Sequence, residues 1–123
     1  MSKPVLLWLR RDLRLADQPA LAAAIASGAP VIPVYVLDDD TPRHRAMGGA
    51  SRWWLHGSLE SLSRDLEAAG SRLILRRGRS DGVLAALAQE TGAQEVHALH
   101  HHEPWWIMAE RAVMKAGLTL HLH

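Results

Sequence analysis

The 123-residue sequence contains no cysteine, no phenylalanine and a single tyrosine. Without cysteine, disulfides and thiolate metal sites are excluded, and a reducing cytoplasm is the expected compartment. No apolar run approaches the roughly 18 residues that a membrane span needs. The amino terminus offers one Lys and then a short strand-like run, not the layout of a signal peptide. Charge of one sign is scarce as well. Fourteen basic against thirteen acidic residues leave a formal +1, which gives no ground for general nucleic-acid binding but leaves room for a local basic patch. The loop after the first apolar run has no glycine, so neither a G-x-G-x-x-G nor a Walker A phosphate loop is present there. There is no G-x-S-x-G elbow and no defensible Ser-His-Asp spacing. The residues alone therefore identify no catalytic group. What remains is a globular composition, 48% hydrophobic and 22% charged, long enough for one domain around one core.

The aromatic content is concentrated in five tryptophans, four of them in two adjacent pairs, Trp53-Trp54 and Trp105-Trp106. Neighbours on a helix point about 100° apart. At most one of each pair can face squarely into a core, and the other covers a rim, a partner or a ligand.

Taken in order, Val5 to Leu9 is a continuous apolar run of strand length, as expected of a strand covered on both faces. A charged loop, Arg10 to Asp17, leads to a helix in which Asp17 is the expected N-cap, Pro19 lies in the first turn and Gly28 follows the last residues. Val31 to Leu37 is a second strand. Its Pro33 points to an edge or a strand start, because proline cannot donate to a ladder. After Asp38-Asp39-Asp40, a glycine-containing loop reaches Ser51, the expected cap of a helix with Leu55, Leu59, Leu62, Leu66 and Ala69 at helical spacing. Arg72 to Arg76 reads as a third strand, with Leu73 and Leu75 on one face and Ile74 on the other. Ser80 or Asp81 would cap a short helix through Val83, Leu84, Leu87 and Ala88, closed by Gly92. Glu95 to Leu99 is a fourth strand, and Trp105 to Ala116 a last helix with Trp106, Ala109, Val113 and Ala116 on one face. Leu118 to Leu122 is a fifth strand. Strict βαβαβαβαβ alternation with helical crossovers demands a parallel sheet with helices on both faces.

Such sheets bind ligands at the carboxyl ends of their strands, where the strand order reverses. The segments collected there are Arg10 to Arg14, Leu37 to Asp40, Arg77 to Arg79 and His100 to Glu103. Guanidinium forks, carboxylates and imidazoles beside tryptophan faces suit a planar, polar-edged ligand. For any single charge, a turn cap or a solvated partner is the plainer reading; the group as a whole points to a site. The run His100-His101-His102-Glu103 is not read as a metal centre, since consecutive residues of an extended segment alternate sides and cannot easily converge on one ion. No metal is expected. The arginines at 72, 76, 77 and 79 could touch phosphates, but at so small a net charge they read as a solvated edge.

The opening stretch LLWLRRDLRLADQPAL closely resembles the start of the DNA photolyase and cryptochrome family, which typically reads W-F-R-R-D-L-R-L-x-D-N-P-A-L. The likeness continues through VIPVYVLDDD, ASRWWLHGSLESLSRDLEAAGSRLILRRG and the Glu103-Pro104-Trp105 region, and so covers essentially the whole chain. Leu9 and Gln18 stand where the family favours Phe and Asn, both minor swaps. The resemblance implies that residues 1–123 are the amino-terminal domain, a Rossmann-like α/β three-layer sandwich whose five-stranded parallel sheet has the order 3-2-1-4-5. It further implies that a helical domain, absent from this chain, binds FAD, docks damaged DNA and carries the electron-transfer chemistry. No catalytic residue is then expected here, and no membrane contact.

What the resemblance assigns to this domain is an antenna chromophore. The matching positions are Arg10, Asp12, Leu37, Asp38, Arg52 and Glu103. In folate-binding members an Asn-Glu pair after the fourth strand grips the pterin. That pair falls on Trp105 and Trp106 in this sequence, which favours flavin mononucleotide or a deazaflavin over a methenyl folate, or an empty pocket. The implied function is the antenna domain of a deoxyribodipyrimidine photolyase. Its rivals are the same domain of a cryptochrome, a stand-alone nucleotide-binding or signalling module such as a universal-stress-type protein, and a docking module for the helical domain.

Overall fold

The computed structural model describes residues 3–10, 19–37, 49–68, 71–99 and 104–123, with the backbone alone for 49–55 and for 104 and 105. Among these residues nine elements follow one another: β1 (Val5–Leu9), α1 (Pro19–Ala26), β2 (Val31–Leu37), α2 (Gly49–Ala68), β3 (Ile74–Arg77), α3 (Ser80–Thr91), β4 (Glu95–Ala98), α4 (Pro104–Lys115) and β5 (Thr119–Leu122). The strands form one sheet of order β3-β2-β1-β4-β5, and every neighbouring pair is parallel. Both the alternation and the implied strand order hold.

The central strand explains the layering. All five residues of β1 are buried, and successive side chains leave by opposite faces. Leu6 and Trp8 join a core with Val34, Val36, Leu84, Leu87, Val96, Ala98, Ala109 and Val113, drawn from the α3 and α4 side. Leu7 and Leu9 join a second core with Ala20, Tyr35, Leu62, Leu66 and Leu73, from the α1 and α2 side. Alternation in a polar-out strand would leave one face wet. An unbroken VLLWL run dries both, and the position of β1 between β2 and β4 is the consequence.

Several local expectations shift. Pro33 sits in an inner strand, opposite Leu7, but β3 begins its pairing one residue later at Val34↔Ile74. At Pro33 β2 is locally an edge, so no ladder bond to β3 is lost there. The third strand runs Ile74–Arg77 rather than from Arg72, and the fourth stops at Ala98. Ser51 is not the cap of α2, whose helical backbone is already under way at Gly49. The N-cap of α3 is Arg79, in extended conformation with no side-chain cap bond, while Ser80 is buried as the first helical residue. At the other end of α3 the glycine expectation holds: Gly92 has φ +80°, and its N–H donates to the Ala88 carbonyl at 2.9 Å. Of the last helix's expected face, Ala109 and Val113 are buried, whereas Ala116 lies past the helix end and is exposed. The proposed cap at Asp17 lies outside the described residues.

Candidate functional site at the carboxyl edge

The order of the sheet reverses beside β1, which has β2 on one flank and β4 on the other. Arg10, the residue immediately after β1, stands at that crevice and is only 3% exposed. Its guanidinium lies 4.5 Å above the Trp8 ring and 5.2 Å from that of Trp106. One terminal nitrogen, Nη1, pairs with Glu110 Oε2 at 2.8 Å, and the other, Nη2, donates to the Leu99 carbonyl just beyond β4. Guanidinium is suited to this role. It is planar, permanently charged and weakly hydrated, so it can stack on indoles while its fork is satisfied edge-on.

This assembly ties three elements together. Arg10 fixes the exit of β1 to the exit of β4 through Leu99 and to α4 through Glu110. Arg10 was expected as a ligand donor. Its contacts with Trp8, Leu99, Trp106 and Glu110 are internal and brace the mouth of the crevice. Glu110 was missed by sequence reasoning, yet it carried a signal. It falls between Trp106 and Val113 at spacings of four and three, on the stripe that faces the sheet, and a carboxylate on such a stripe calls for a buried cation.

Leu37 ends β2, and its carbonyl accepts from the Gly78 N–H at 3.0 Å. Its side chain packs toward the α1 and α2 core, whereas Arg10 engages Glu110 and Trp106 of α4. The two therefore share the carboxyl edge but sit on opposite faces of the sheet. Leu37 lines an open cavity of about 290 Å³ with Tyr35, Leu59, Leu75, Arg76 and Arg77. Its walls are largely apolar, and the exposed Arg77, register partner of Leu37, belongs to its lining, while the Arg76 guanidinium donates to the Leu75 carbonyl at 3.1 Å. Arg52 belongs to α2, with its side chain outside the described residues; Asp12, Asp38 and Glu103 lie outside them altogether, as do His100, His101 and His102. Among the described residues no group of three or more His, Asp or Glu side chains is arranged to hold a metal ion, and no helix is long and apolar enough to cross a membrane.

The model of the DNA photolyase family matches residues 5–122. The chain is 44% identical to the deoxyribodipyrimidine photo-lyase of Agrobacterium fabrum over 123 residues, which is 97% of this chain and 25% of that protein. It is 41% identical to cryptochrome-1 of Arabidopsis thaliana over 101 residues, 80% of this chain and 14% of that protein. Among solved structures, it is similar to a bacterial class III photolyase from Agrobacterium tumefaciens, with a TM-score of 0.88 and 40% identity, covering 99% of this chain and 26% of the other. The chain thus spans about a quarter of the length of these photolyases.

Proposed function

The chain belongs to the DNA photolyase family, which includes the cryptochromes, and we propose that it is the antenna-chromophore-binding domain of a deoxyribodipyrimidine photolyase. The observation that carries this reading is the 44% identity to a photolyase along 97% of the chain. As the amino-terminal portion of such an enzyme, it would work with a helical FAD-binding domain in the same parent protein and meet damaged DNA through that domain, in the cytoplasm. By itself it would catalyse nothing. A bound antenna would supply absorption of light and transfer of the excitation to the parent's flavin.

The cavity beside Leu37 fits such a group in size and chemistry. Ligand pockets typically enclose about 300–1,000 Å³; a cavity of about 290 Å³ takes one ring system rather than a whole dinucleotide. Tyr35, Leu37 and Leu59 offer apolar contact, and Arg77, on the same face of the sheet as Leu37, suits a phosphate tail. That pairing favours flavin mononucleotide, with a deazaflavin next and a methenyl folate last. Asp12, Asp38, Arg52 and Glu103 complete the proposed set on the strength of the family match. Arg10 supports them as the brace of the crevice.

The test is titration of the full natural chain with flavin mononucleotide, a deazaflavin and a methenyl folate, followed by fluorescence. Binding of a flavin-type ring is expected. Binding of the folate alone would overturn the flavin preference, and binding of none by a folded chain would overturn the antenna reading. The cryptochrome alternative is favoured by the 41% identity to a plant cryptochrome. Repair of pyrimidine dimers by the illuminated full chain decides between the two.

A further inference from the structure

A second cluster of ionisable groups lies away from the crevice brace, where β4 meets the outer strand β5. His97 is the register partner of His121, and Glu95 that of Thr119. His97 Nδ1 and His123 Nε2 are 3.0 Å apart, and the ring centroids of that pair are 5.2 Å apart with planes 9° from parallel. The ring of His121 stacks on His97 at 4.6 Å, while its Nε2 donates to Glu95 Oε1 at 2.8 Å. Residues two apart on a strand share a face, so Glu95 with His97 and His121 with His123 form one four-membered patch. His97 is almost buried, at 7% exposure.

We propose that Glu95, His97, His121 and His123 form a proton-operated latch on β5, fastened while the imidazoles are neutral and released as they gain protons. The hydrogen bond between His97 and His123 needs one nitrogen as donor and the other as acceptor. Neutral rings satisfy this, and so does a pair sharing one extra proton. When both rings are charged, both nitrogens carry hydrogen and the contact becomes repulsive. Full protonation places three positive rings around one carboxylate.

Among the described residues, the neighbourhood offers little to absorb that charge. The face is shared with Leu7 of β1, the register partner of His97, and with α1, whose sequence PALAAAIA has no ionisable side chain. Helix α4, with Glu110, Arg111 and Lys115, packs on the opposite face, against which Leu118 and Leu120 lie. Glu95 is thus the one acid of the described patch, and it is already engaged by His121. Consistently, burial first and the two neighbouring imidazoles second hold the His97 pKa below its ordinary 6.5, with Glu95 opposing.

The latch acts on β5 through its position. The N–H groups of Thr119 and His123 donate to the carbonyls of Gln94 and Ala98, each at 3.0 Å, and among the described residues no strand lies beyond β5. Opening requires the loss of one ladder only.

Amide hydrogen exchange of the full natural chain, corrected for intrinsic rates, tests this between pH 7.5 and 5.5. Thr119 and His123 are expected to exchange through an opening lower in free energy than the one that exposes β1. Their protection should fall by up to about tenfold per pH unit for each proton taken up on opening. His97→Gln should flatten that dependence, and so should His123→Gln, which alters an exposed ring and spares the core. Exchange of β5 only together with β1, protection independent of pH, or an undiminished pH dependence in both variants would each overturn the latch.

Discussion

Arg10 and Glu110 meet at 2.8 Å with their side chains only 1% and 4% exposed. A guanidinium and a carboxylate withdrawn this far from water are each costly alone, and their contact offsets part of that cost. The pair joins the end of the central strand to the last helix. The two tryptophans against the guanidinium exclude water from it.

The first prediction follows from that mutual dependence. Glu110→Ala or Arg10→Ala should each destabilise the fold by about 3–5 kcal/mol, since each strands a buried charge. The double replacement Arg10→Met with Glu110→Leu should cost far less than the sum, because it strands none. Urea unfolding of the four chains measures this coupling, and additive losses would refute it.

Much of the architecture was legible in the residues, for a physical reason. The VLLWL run and the helical spacing of Leu59, Leu62 and Leu66 are local patterns, and each reports the burial its own element demands. Pro33 and Arg79 were harder, because what they do depends on where a neighbouring strand begins and on a cap with no side-chain bond. Glu110 required knowing that α4 lays it over the end of β1, a contact between opposite ends of the chain. The carboxyl edge of the sheet, where the candidate site is placed, was legible from alternation alone. The separation of Arg10 and Leu37 onto opposite faces was not, since it depends on the backbone course after each strand.

A second prediction concerns Gly92. Its φ of +80° lies in the left-handed region, and a Cβ there would meet nothing within 4 Å. The cost of Gly92→Ala is therefore conformational, about 1–2 kcal/mol, with Gly92→Asn milder because Asn tolerates that region. Thermal melts of both variants check the order. Equal losses would point to a packing role instead.

Stability should also depend on pH through His97. Its folded pKa is lowered by burial, then by His121 and His123, so the unfolded chain binds the proton more readily. The contribution is complete above about pH 6.5, the ordinary imidazole value, and is lost as pH falls from there through the depressed folded value. Urea midpoints at pH 7.5, 6.5 and 5.5 should decline in the native chain and decline less in His97→Gln. A midpoint that rises on acidification would reverse the sign of the argument.

The last prediction separates ring from tail in the proposed chromophore site. If Arg77 receives a phosphate beside the Leu37 cavity, Arg77→Glu replaces an attraction with a repulsion. Flavin mononucleotide binding should weaken about tenfold, or about 1.4 kcal/mol. Riboflavin, which has the ring but no phosphate, should bind the native and substituted chains alike. Leu37→Asp should do the reverse in kind, weakening both ligands because it places charge against the apolar wall that the shared ring covers. Raising the salt concentration should shrink the difference between flavin mononucleotide and riboflavin in the native chain, as screening of an exposed guanidinium–phosphate contact requires. Equal weakening of the two ligands by Arg77→Glu would remove the phosphate from the rim and leave the cavity with a ring contact only.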